Sequence, residues 1–124
     1  MYGLGILGEK VSAYSTRIIN AQRHLKGKAT NTTLSQFYRS GTSIGANCSE
    51  AVFAQSKADF ITKLHIALKE SNENRYWLEV ILQEGVIDKE IYDSMTQDCI
   101  EIQKLLSTII KNVKANINND KNAS

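Results

Sequence analysis

The chain contains no proline. Nothing in it breaks a helix by removing an N–H and clashing with the preceding turn, and proline-rich linkers are excluded. Seven glycines in 124 residues are too few for a collagen-like or glycine-rich chain. Cysteine is scarce: Cys48 and Cys99 stand far apart. Two such thiols cannot staple a secreted scaffold, and they suit a reducing cytoplasm as small buried hydrophobes. No run of eighteen apolar residues occurs, so no membrane span is expected. The opening MYGLGILGEK has too short an apolar run for a secretory signal and no basic segment before it, so a cytoplasmic location is expected. An excess of one charge is missing too. Fifteen Lys and Arg against 13 Asp and Glu leave +2, which excludes a strongly basic nucleic-acid tail.

What is present is the composition of a globular chain, 42% hydrophobic and 23% charged. The length fits one domain that buries about two thirds of its unfolded surface, enough core to stand without metal or disulfide. The charge is uneven along it. Residues 1–39 carry six Lys/Arg and one Glu, residues 40–103 five Lys/Arg and eleven Asp/Glu, and residues 104–124 four Lys and one Asp. Such asymmetry speaks to partners, not to fold.

Four apolar stripes at helical spacing run along the chain. The first is Leu4, Leu7, Val11, Tyr14, Ile18, Ala21 and Leu25, with Gly27 as its stop. Thr33 and Gln36 form a capping-box pattern before the second, Leu34, Phe37, Gly41, Ile44, Cys48 and Ala51. Gly41 and Gly45 predict close helix packing there. Ser56 and Asp59 signal the third helix, whose stripe reads Phe60, Leu64, Leu68, Ser71, Leu78 and Leu82 up to Gly85. Asp88 caps the fourth, with Ile91, Met95, Ile102, Leu105, Ile109 and Val113. Helices of about 22–27 residues joined by short turns pack antiparallel. The expected fold is all-α, an up-down-up-down four-helix bundle over residues 1–115, with a polar, frayed tail at 116–124.

Two features exceed a minimal bundle. The third helix bears a second apolar face, Ile66, Tyr76, Trp77 and Val80, interleaved with Glu70 and Glu73. A lone bundle needs one apolar stripe, so the extra face points to a subunit or partner contact. The alternative is that Tyr76 and Trp77 merely flank a broad core. The second helix bears a polar stripe, Arg39, Ser43, Asn47 and Glu50, which Glu70 and Glu73 can meet from the third. It reads equally as a register-fixing network or as a solvated face.

The residues offer little catalytic chemistry. A di-iron bundle needs Glu-x-x-His on two helices, but Ala21 and Thr62 stand three before His24 and His65. No zinc-ligand spacing or Cys–His motif occurs, and His65 reads as a packed histidine. Gly3-Leu-Gly5-Ile-Leu-Gly8 fits a phosphate-loop pattern in form alone, because no strand precedes it. No enzyme, metal, cofactor or small-molecule substrate is expected. Basic residues offer more. Lys10, Arg17, Arg23, Lys26 and Lys28 with His24 on the first helix, and Lys104, Lys111 and Lys114 on the fourth, would merge across neighbouring helices into a strip that meets RNA or DNA phosphates without reading sequence. A solvated lysine-rich surface is the plain alternative.

Two motifs, Ser43-Ile44-x-x-Asn47-x-x-Glu50 and Glu70-Ser71-x-Glu73-x-x-x-Trp77-Leu78, lie in segments resembling the second and third helices of a known family. These are the four-helix-bundle proteins encoded in intervening sequences of bacterial 23S ribosomal RNA genes. The resemblance spans roughly residues 5–115. It implies an antiparallel bundle in a bacterial cytoplasm. It also extends to accessory proteins of diversity-generating retroelements, which implies a homo-oligomer, a cyclic pentamer, with a basic nucleic-acid surface. Arg39, Ser43, Asn47, Glu50, Glu70, Glu73 and Trp77 match the motif positions, in structural rather than catalytic roles.

Overall fold

A computed structural model describes residues 4–123, with side-chain surroundings given for 4–119. Gly3 and the outermost ends of the two expected ranges lie outside the described residues. Four helices follow one another: α1 (Gly5–Leu25), α2 (Asn31–Val52), α3 (Lys57–Gln83) and α4 (Lys89–Ala123). Each packs on its sequence neighbours, and α4 closes back on α1. Lys10 meets Glu101, and Arg17 meets Asp98 one turn away, so α1 and α4 run in opposite directions. The chain is an up-down-up-down four-helix bundle.

Its turns follow from local chemistry. Gly27 and Gly85 sit at φ 83° and 76°, the left-handed region that an L side chain resists. They end α1 and α3. Ser56 Oγ accepts from Asp59 N–H at 3.0 Å and caps α3 as its spacing predicts. The Thr33–Gln36 box does not form. Helix α2 starts earlier, at Asn31, and Thr33 is buried. Thr30 N–H is instead taken at 2.7 Å by Glu84, from the far end of α3. A carboxylate there satisfies an orphan donor and faces the positive end of the helix. Helix α4 does not stop at 115. It continues to Ala123, and Ile117 rests half-buried against the core.

The α1 and α2 stripes form the core as their spacing predicts. Leu7, Val11, Tyr14 and Ile18 are buried against Phe37, Ile44 and Cys48; full burial of such side chains stabilises by about 1.5–3 kcal/mol each. At Gly41 an added Cβ would lie 2.6 Å from Ile18 Cδ1, so the helices approach as closely as the small residues allow. On α3 and α4 the seam keeps Leu64, Ser71, Leu78, Met95 and Ile102 as read in sequence and departs from it at the other positions. Ile61, Ala67, Asn74 and Ile81 face inward where Phe60, Leu68 and Leu82 were expected. Likewise Cys99, Leu106 and Ile110 are buried, Leu105 and Ile109 only flank them, and Ile91 is exposed.

A layer of buried polar groups crosses this core. Tyr14 of α1 donates to Asn74 Oδ1 at 2.5 Å. Asn74 Nδ2 donates to Phe37 C=O and to Ser40 Oγ of α2, at 2.9 and 3.1 Å. One turn away, Cys99 and Gln103 of α4 donate to Ser71 of α3, at 3.4 and 3.1 Å. All four helices thus contribute, and each side chain named in this layer has a partner. Burial pushes both thiols up to about 11, which leaves them inert.

Candidate nucleic-acid interface

The expected basic strip on α1 and α4 does not form, because α4 brings acids to that seam. Lys10 Nζ lies 2.8 Å from Glu101, and Arg17 Nη1 lies 2.8 Å from Asp98 and 2.9 Å from Ser94 Oγ. The Lys10 ammonium is held above its usual range chiefly by its hydrogen bond to Glu101. Arg23, Lys26 and Lys28, with His24, stay exposed at the other end of α1. That end lies about 24 Å from Lys10 along the helix.

The α4 lysines fall on the opposite seam, toward α3. Lys104 borders a depression with Arg75, Gln103, Ser107 and Thr108. Lys111 and Lys114 border a second one with His65, Ser107 and Asn118. Ser107 borders both, so the two shallow depressions adjoin along the α3–α4 seam and together make its groove. Its cationic side chains run about 15 Å along α4 from Lys104 to Lys114. No carboxylate lines either part. Lys104, Lys111 and Lys114 are exposed, and among the described residues none is held in an ion pair. Arg75 is positioned by Gln103 Oε1 at 3.1 Å. Beyond Arg75 the surface reaches Tyr76, 58% exposed, and Tyr92, with Asn72 and the carboxylate Glu79 between them and the groove. His65 is exposed here, not packed as its sequence position suggested. Sequence reasoning missed His65 and Arg75 because the third helix lies in the acidic stretch of the chain. Their ten-residue separation, about 1,000° of helix rotation, puts them within 80° of one another.

The motif residues assemble at the α2–α3 seam. Arg39 Nη1 reaches Glu70 at 3.1 Å, Nη2 pairs with Glu73, and Nε donates to Gln36. Desolvation and its neighbour Glu73 raise the Glu70 pKa. Desolvation opposes ionisation of Glu73 as well, but hydrogen bonds with Arg39 and Glu70 and the Arg39 charge together outweigh it and lower its pKa. Ser43 and Asn47 instead bond down their own helix, to Arg39 C=O and Ser43 C=O at 2.6 and 2.8 Å. Glu50 meets Lys63 at 3.2 Å. These pairs clamp α2 to α3 at a largely solvated face, where each contributes little. Trp77 lies against the core, edge-to-face with Tyr76 at 5.0 Å. Its buried Nε1 makes no hydrogen bond of normal geometry, though it helps to lower Glu73. Ile66 and Tyr76 remain exposed on either side of the Arg39 clamp.

Among the described residues, no group of three His, Cys, Asp or Glu is placed to hold a metal ion, and no helix is long and apolar enough to cross a membrane. Comparison with curated proteins gave no significant match. A solved structure is similar over most of both chains: a protein of unknown function from the S23 ribosomal protein family of Bacteroides thetaiotaomicron. It is 46% identical with a TM-score of 0.83, covering 87% of this chain and 97% of that one. The family model described as 23S rRNA-intervening sequence protein matches residues 8–108. With four helices of the expected topology and a match across most of its length, this chain belongs to the 23S rRNA-intervening sequence protein family.

Proposed function

We propose that the protein binds RNA or DNA through the α3–α4 groove, without base-specific readout and without catalysing a reaction. The observation that carries this reading is the carboxylate-free groove itself: Arg75, Lys104, Lys111, Lys114 and His65 along two adjoining depressions. A furrow between two helices tracks a phosphate backbone, and the tyrosines at its end offer a surface for stacking. No recognition helix or base-reading motif accompanies it. Two buried, inert thiols fit a reducing cytoplasm.

The test is fluorescence anisotropy with a labelled single-stranded RNA at about 50 and 200 mM salt. The wild type is expected to bind at the lower salt and to weaken steeply at the higher. Lys104→Gln/Lys111→Gln/Lys114→Gln loses binding by at least about tenfold, since each lost phosphate contact flattens the salt slope by about 0.7. Lys10→Gln, whose ammonium is already paired, changes it little. An unaffected triple variant, or no binding to RNA or heparin at about 50 mM salt, overturns the reading.

A second reading concerns assembly. Ile66 at 37% and Tyr76 at 58% exposure leave apolar surface on α3 beside the Arg39 clamp. Self-association there, as a pentamer by resemblance to the retroelement accessory proteins, would repeat the groove around a ring and multiply its avidity. The same face alternatively serves a different protein as a scaffold. Sedimentation velocity of Ile66→Glu distinguishes these: a smaller species than wild type supports self-association, and an unchanged profile removes it.

A further inference from the structure

Two apolar features lie at opposite ends of the bundle. The first is a cleft. Between the C-terminal half of α1 and the N-terminal half of α4 a cavity of about 400 Å³ opens. Its floor is the core, Phe37, Leu78 and Met95, and Ile91 on its wall is left 45% exposed. The gap has a plain origin. On the α1 stripe, Ala21 stands where Tyr14, Ile18 and Leu25 carry large side chains. Arg17 at the rim is the one lining side chain with a permanent charge, and Asp98 pairs with it. The cleft therefore suits an uncharged, apolar group, since an ion would lose hydration there without a free partner.

The second feature is a knob. Phe53 caps the end of α2 and is 84% exposed, more than any other large hydrophobic side chain among the described residues. Val52 beside it is exposed too. From Ala51 to Ser56 this tip bears no formal charge. A phenyl ring held in water forgoes the burial of roughly 150–250 Å² that aromatic side chains make in cores and interfaces. The knob cannot fill the cleft of its own chain, because Phe37 on the cleft floor and Phe53 stand about 24 Å apart along α2. A second copy can bring the two together. A volume that holds a small organic molecule holds a phenyl ring, and the uncharged tip meets a cleft with no free charge. We propose that Phe53 of one copy inserts into the α1–α4 cleft of the next, its ring against Ile91 and Met95. The two patches differ, so the contact runs head to tail, and it closes a ring where the rotation between copies permits. It uses neither the α3–α4 groove nor the Ile66 face, so its failure leaves both of those readings standing.

The test is sedimentation velocity on variants made in the Ile66→Glu background, which removes the α3 face. Phe53→Ser removes the knob. Ala21→Phe fills the cleft, with Ile91→Glu in its place if the larger ring prevents folding. Each is expected to raise the dissociation constant for self-association at least about tenfold. Phe53→Ser keeps a sound cleft and Ala21→Phe a sound knob. Mixed in equal amounts, they are therefore expected to form a heterodimer and no larger species. Unlabelled Ala21→Phe should also shift the Ile87, Ile91 and Met95 methyl resonances of isotopically labelled Phe53→Ser. A background protein that stays monomeric at about 1 mM, unaltered association of either folded variant, or a mixture without the heterodimer each overturns the proposal. So do methyl shifts that appear equally when the added chain lacks Phe53.

Discussion

The residue on which this fold leans hardest is Asn74. It is fully buried and joins three helices through Tyr14, Phe37 and Ser40. Asn74→Ala removes the acceptor of the Tyr14 hydroxyl in the interior, cuts the tie to α2 and opens a small void. A loss of about 2–4 kcal/mol is expected in urea unfolding. The two glycines of α2 make a matched pair. At Gly41 an added Cβ meets three atoms of the Ile18 side chain within 3 Å, so that chain has no free end to yield. At Gly45 it meets Ser15 Oγ at 3.1 Å, and a serine can rotate; Val11 Cγ1 at 3.6 Å is an ordinary contact. Gly41→Ala should therefore cost about 1–3 kcal/mol from overpacking, whereas Gly45→Ala should be neutral or stabilise by up to about 1 kcal/mol through helix propensity. Equal melting temperatures for the two variants would refute this contrast. The close approach at Gly41 was legible from its spacing to Gly45. The role of Asn74 was not, because a polar residue on a helix gives no sign of which way the helix has turned.

At the level of elements, periodicity revealed four helices and their order and fixed the inward face for α1 and α2, but only in part for α3 and α4. On α1 and α2 the apolar residues form single stripes. Helix α3 offers neighbouring pairs, Phe60–Ile61, Ala67–Leu68, Trp77–Leu78 and Ile81–Leu82, and α4 offers Leu105–Leu106 and Ile109–Ile110. Either member of each pair makes an acceptable stripe, and the choice of about 100° is settled only by packing. Capping that acts between elements is invisible to local motifs, as Glu84 on the start of α2 shows. Its pKa is lowered, first by the Thr30 N–H and then by Thr33. The stability it adds is therefore fully present above the ordinary carboxylate range and fades as pH falls through its lower folded value. Glu84→Gln should lose that dependence. The gap in unfolding free energy between wild type and variant, under about 1 kcal/mol at this solvated site, is expected at pH 7 and shrinks as acidification protonates Glu84. A gap that grows on acidification would contradict the assignment.

For the molecule as a whole, charge distribution carried the functional hint, and only the three-dimensional pairing shows where it is spent. The positive ends of the sequence and its acidic middle fold together so that α4 neutralises Lys10 and Arg17 on one seam while its own lysines gather on the other. Counting charges along α1 and α4 could not show this, since Asp98 and Glu101 alternate with Lys104 on the same helix but face another way. Helices α1 and α4 also share the sparsest packing of any adjacent pair, with the cleft at one end and two partly solvated ion pairs along the rest.

That seam makes α1 a peelable stave. Such surface ion pairs weaken as ions screen them, and the apolar contact beneath is interrupted by the cleft. When the barrel loosens short of global unfolding, α1 should swing away first while the tightly joined α2 and α3 hold. Amide hydrogen exchange is expected to show α1 opening earlier than α3, with the difference widening as salt is raised. Uniform protection across all four helices would mean that the barrel parts as one piece.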